Sequence, residues 1–111
     1  MSFTNEIATY QLIHFSKQRK DTDAMAMISL HNSDSRFLGY VYFYRDDYEL
    51  RDSYSVEDTT PKRAFLRMHH RQLDGVIDML RNEKPCFLYY SSPTYAYIHT
   101  GEEPIGEEEL D

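Results

Sequence analysis

Cysteine is nearly absent from this chain: Cys86 is the only one, so no intramolecular disulfide can form. It stands in an apolar run, Pro85-Cys86-Phe87-Leu88-Tyr89-Tyr90. A free cysteine with no cationic neighbour or helix N-terminus beside it behaves as a small buried hydrophobe. Tryptophan is missing altogether, and glycine and proline number four each, too few for a collagen-like or low-complexity chain. No apolar run approaches the roughly 18 residues that cross a bilayer, so no membrane partner is expected. The opening residues, Met1-Ser2-Phe3-Thr4-Asn5-Glu6, lack the basic and apolar parts of a secretory signal. A cytoplasmic location is the expectation. There is no internal repeat, and no Gly-x-Ser-x-Gly, Ser-x-x-Lys or His-Glu-x-x-His pattern. No catalytic residue, cofactor or metal is assigned, and an enzyme is not the favoured reading.

What the chain has instead is aromatic. Ten tyrosines and six phenylalanines bring about 150–250 Å² each to a core or interface, which offsets a mean hydropathy of −0.69. At 111 residues there is length for one domain and one core. The net charge of −7 is uneven: residues 101–111 hold Glu102, Glu103, Glu107, Glu108, Glu109 and Asp111 with no lysine or arginine, leaving −1 on residues 1–100. The reading is a nearly neutral α+β domain over 1–100 and an acidic C-terminal tail over 101–111.

Periodicity supplies the elements. Ile7 to Lys17 is rich in β-branched and aromatic residues and predicts a first strand. Ala24 to His31 alternates, with Ala24, Ala26, Ile28 and Leu30 on one side. Phe37 to Arg45 predicts a central strand with Phe37, Val41 and Phe43 on one face and Leu38, Tyr40, Tyr42 and Tyr44 on the other. Residues 46–62 read as a long polar loop, in which Tyr48, Leu50, Tyr54 and Val56 can anchor it or form a short strand. Arg63 to His69 alternates again. From about His70 to Asn82, Leu73, Val76, Ile77 and Leu80 fall on one helical face, with Asn82 suited to a left-handed cap before Pro85. Cys86 to Ser91 and Tyr95 to Thr100 then form a hairpin. The expected fold is α+β, in the order β-β-β-loop-β-α-β-β: an antiparallel sheet of about six strands with one helix on one face. One helix covers at most one face, so the aromatic second face needs strong sheet curvature or another subunit.

Two surfaces are candidates for function. Lys62, Arg63, Phe65, Arg67 and His69 make a basic stretch with an interleaved aromatic, free of acid, as an anion or nucleic-acid surface would be. Charge that protects an edge strand from aggregation, or that docks the chain's own tail, explains the same residues. Tyr40, Tyr42, Tyr44 and Tyr89 are the candidate self-association face; aromatic strand residues also serve simply as core. The five histidines, His14, His31, His69, His70 and His99, lie in or at the ends of strands, but strand neighbours such as His69 and His70 face opposite ways and cannot both hold one metal. The succession of strands, a basic strand and then a helix resembles the topology of the Whirly-type single-strand-binding proteins, without a shared motif. The leading expectation is a non-enzymatic, self-associating interaction domain, forming a homodimer with room for a protein partner. The alternatives are a single-stranded nucleic-acid binder whose acidic tail competes for its cations, and a small-ligand or enzyme domain whose pocket is built by the 46–62 loop.

Overall fold

The computed structural model describes residues 2–16 and 23–102; most of the acidic tail, and the end of the first expected strand, lie outside them. The fold is α+β; the described residues form eight strands, arranged in two sheets, and one α-helix. Strands β1 (Phe3–Ile7), β7 (Cys86–Ser92) and β8 (Tyr95–Thr100) form a three-stranded sheet in the order β1-β7-β8. Strands β2 (Thr9–His14), β3 (Ala24–His31), β4 (Phe37–Tyr44), β5 (Tyr54–Val56) and β6 (Arg63–His69) form a five-stranded sheet in the order β2-β3-β4-β6-β5. Helix α1 (Leu73–Asn82) follows a 3-10 turn at His70–Gln72.

The single six-stranded sheet is therefore corrected to two sheets, and the reason sits at Ala8. Ile7 pairs with Cys86 in the smaller sheet, while the Ala8 amide donates to the His31 carbonyl at 2.8 Å and Thr9 pairs with His31 in the larger one. The expected strand from Ile7 to Lys17 is thus two strands sharing a corner. Inward-facing Ile7 and Tyr10 are three residues apart, off the period of two that a single strand requires.

A second correction concerns direction. Every neighbouring pair is antiparallel except β4 and β6, which run parallel from Gly39↔Ala64 to Tyr44↔His69. A parallel pair needs a long crossover rather than a hairpin. Residues 45–62 supply it, with β5 inserted along the way as the outer edge partner of β6.

The third correction is to the faces of β4. His31 pairs with Phe37 and Leu30 with Gly39, so Leu38 is an extra residue and the alternation restarts after it. Leu38 is fully buried with Val41 and Phe43, whereas Phe37 joins Tyr40 and Tyr42 on the opposite face, its ring 4.8 Å from that of Tyr40. Gly39 makes the bulge feasible: its φ is +140°, and a Cβ there would lie 1.7 Å from the Ala64 carbonyl oxygen. Only glycine tolerates both.

One core joins the two sheets and the helix. Ala26, Ile28, Leu30, Val41, Phe43, Ala64 and Leu66 from the larger sheet meet Ile7, Leu88, Tyr90 and Ile98 from the smaller one, with Leu73 and Val76 of α1. Each large aliphatic side chain fully buried here contributes about 1.5–3 kcal/mol relative to exposure. The helix turns inward on the expected face, with Leu73 and Val76 buried and Ile77 and Leu80 packed at the margin of the core. Its N-terminal turn has no Ser, Thr, Asp or Asn cap; the Gln72 side chain accepts the His69 amide at 3.0 Å instead. Asn82 is not a left-handed cap: the helix stops at Glu83, in extended conformation, ahead of Pro85. No helix among the described residues is long and apolar enough to cross a membrane.

Candidate functional site

With α1 and the smaller sheet sharing the core on one side of the five-stranded sheet, the other face is left to the side chains of the sheet itself. Parallel pairing of β4 with β6 places Tyr40 beside Phe65, Tyr42 beside Arg67 and Tyr44 beside His69. The basic strand and the three tyrosines of β4, read from sequence as separate surfaces, thus occupy one face. The five strands of this sheet contain no aspartate or glutamate.

The rings of this face form a continuous band. Tyr40 lies 5.7 Å from Tyr42 and 5.8 Å from Phe65, and Tyr42 lies 6.4 Å from Tyr44, all in tilted geometry. Residues 45–62 add two flat stacks: Tyr48 on Tyr44 at 4.8 Å, and Tyr54 on Phe65 at 4.7 Å. These caps explain why Tyr44 and Phe65 are buried while Tyr40 and Tyr42 remain half-buried. The connection is pinned by polar contacts at its start and middle. The His69 ring donates from Nε2 to the Tyr48 carbonyl at 2.8 Å, since a carbonyl only accepts. The Arg71 amide donates to Asp46 Oδ1 at 2.8 Å, and the Ser53 amide to the Pro93 carbonyl at 2.9 Å.

Two guanidinium groups lie in the band. Arg63 sits over the Phe37 ring at 5.1 Å and Arg67 over Tyr54 at 5.5 Å. In both, Nε is buried without a hydrogen-bond partner, and neither makes an ion pair among the described residues. Arginine held this way gains from the ring quadrupole but keeps an unneutralised positive charge. Nearby cations are less free: Arg45 pairs with Asp47 at 2.8 Å while lying over Tyr48, and Lys62 is 4.0 Å from Glu57. Burial, followed by the neighbouring Tyr54, Tyr40 and Tyr44 hydroxyls, pushes the Tyr42 hydroxyl up to about 12. Burial also raises Tyr44, against the pull of Arg67. Both hydroxyls keep their protons and stay neutral at physiological pH.

Of the sequence-derived candidates, Arg63, Phe65, Arg67, Tyr40, Tyr42 and Tyr44 come together. His69 serves as an anchor for the crossover, and Lys62 lies just before the strand. Tyr89 does not belong to the group. It lies in β7 of the other sheet, beside Tyr97 at 4.8 Å and Tyr95 at 6.1 Å. Sequence reasoning missed Phe37, turned by the bulge, and left the stacking of Tyr48 and Tyr54 unspecified. The glycine after Leu38 was the available signal for the first. Residues 46–62 line neither of two adjoining cavities of about 350 and 270 Å³, which are bounded by the Ala8 corner, the turn at Ser33 and, for the larger one, the end of α1. The described residues contain no group of three or more His, Cys, Asp or Glu placed to hold a metal ion. No family model, curated protein or solved structure matches the chain.

Proposed function

We propose that the outer face of the five-stranded sheet binds single-stranded nucleic acid, with phosphates on Arg63 and Arg67 and bases stacked against Tyr40, Tyr42 and Phe37. The supporting observation is the pair of guanidiniums without carboxylate partners among the described residues, set among aromatic rings on a sheet face whose strands carry no aspartate or glutamate. Cations track a phosphate backbone, while base–ring stacking of about 1–3 kcal/mol per base tolerates any sequence. Self-association through this face fits the same residues less well. A twofold interface would set Arg63 and Arg67 against their own copies, with no acid from these strands to neutralise them.

The test is fluorescence anisotropy with a labelled single-stranded oligonucleotide. Releasing counterions from about two phosphates gives a log–log salt slope near −1.4, or roughly 7-fold weaker binding between 50 and 200 mM salt. Arg63→Glu with Arg67→Glu abolishes binding. Deleting residues 103–111 tightens it, because five carboxylates that compete for the same cations are removed. Absence of salt-sensitive binding in both the full chain and the shortened one overturns the proposal.

A further inference from the structure

The smaller sheet ends in β8, and its outer edge has no neighbouring strand among the described residues. β8 pairs with β7, and among the described residues no other strand or loop makes a backbone hydrogen bond to Tyr95–Thr100. Sheet edges in monomeric proteins are guarded by shortness, charge, proline or a covering element, since unpaired amides and carbonyls template another strand. The other edges here show such devices or offer little. β5 is three residues long, and β1 carries Glu6 and ties Asn5 Nδ2 to the Lys62 carbonyl at 2.7 Å. β2 exposes one large apolar side chain, Leu12. β8 has six residues with no charge and no proline, and it exposes Tyr95 at 58% and Tyr97 at 36%. These rings continue an aromatic band through Tyr89, His99 and Phe87, with centroid separations of 4.8 to 5.5 Å.

We infer that β8 pairs antiparallel with β8 of a second copy, giving a twofold dimer with one continuous sheet, β1-β7-β8-β8-β7-β1. A second copy is the occupant because the strand suits itself. An isologous pairing brings no like charges together, and it sets the tyrosines of both copies side by side, where aromatic cross-strand pairs stabilise. Charge also selects the antiparallel sense. The acidic run begins at Glu102, two residues past the end of β8 at Thr100. Antiparallel pairing releases the two runs at opposite ends of the strand pair, about 20 Å apart for six residues. That exceeds the screening length of about 8 Å at physiological salt. A parallel pairing would set both runs alongside each other. The edge lies on the other sheet from the nucleic-acid face, so the two readings stand or fall separately.

Sedimentation equilibrium at about 100 μM should give twice the 13.2 kDa chain mass. Tyr97→Lys and Tyr97→Glu each place like charges near the axis and should sediment as monomers; an equimolar mixture should recover the dimer. Circular dichroism checks that the variants fold. A monomeric wild type, or a dimer that persists in both variants, overturns the inference. So does a mixture of folded variants that stays monomeric. Hydrogen exchange on the wild type covers the case in which a variant fails to fold. Amides of Tyr95–Thr100 should gain protection as concentration rises, and a dimer without that gain refutes edge pairing.

Discussion

Replacing Gly39 by alanine tests the account of the β4–β6 pair most directly. The added Cβ would sit 1.7 Å from the Ala64 carbonyl oxygen and 2.8 Å from its carbon, so backbone rather than a flexible side chain must give way. The φ of +140° is a second cost, since non-glycine residues there carry about 1–3 kcal/mol of strain. Displacing the β6 backbone weakens one or two ladder hydrogen bonds, at about 1 kcal/mol each. Gly39→Ala should therefore destabilise by roughly 2–5 kcal/mol, a large part of the 5–15 kcal/mol typical of a domain. Gly75 is the internal control. It lies within α1 with nothing inside 4 Å of the place an added methyl would take, so alanine there should stabilise by about 0.5–1 kcal/mol. Urea melts of the two variants, compared at constant m, measure both. Equal effects, or a Gly39→Ala change within about 0.5 kcal/mol of wild type, would refute the close parallel pairing on which the mixed aromatic and cationic face depends.

The helix face predicts that Leu73→Ala costs about 2–4 kcal/mol and the half-buried Leu80→Ala less, while exposed Asp78→Ala stays within about 0.5 kcal/mol in the same melts. Alkaline pH supplies an independent check. The folded Tyr42 holds its proton up to about 12, whereas the unfolded residue releases it near the ordinary tyrosine value of 10.0, so stability is full below pH 10 and declines as pH rises towards 12. Tyr42→Phe should flatten that decline, read by denaturation at stepped pH, and should delete the late-titrating component of tyrosinate absorbance.

Much of the fold was legible because burial imposes period two on strands and 3.6 on helices. Ala24, Ala26, Ile28 and Leu30 alternate to the core as expected, and Leu73 and Val76 mark the inner face of α1. Single-residue events broke the rest. Ala8 passes the chain from one sheet to the other, and Leu38 resets β4, each shifting the pattern by one position without a change of composition. Alternation also says which side of a strand a residue takes but not which strand lies next to it. Arg63, Phe65 and Arg67 were readable as one stripe, and Tyr40, Tyr42 and Tyr44 as another. Their union depends on a parallel neighbour reached through residues 45–62, and Tyr89 was separated because its strand joined the other sheet.

The pairing of β1 with β7 has a consequence for synthesis. β1 ends at Ile7 and its partner begins at Cys86. At about 5–20 residues added per second, the first strand leaves the ribosome several seconds or more before the strand it must meet. All five strands of the larger sheet emerge in that interval, and β1 trails from the Ala8 corner with Phe3 and Ile7 uncovered. Thr4, Asn5 and Glu6, the polar residues of this segment, then discourage it from pairing with a neighbouring nascent chain, and the smaller sheet cannot close until β7 and β8 have emerged.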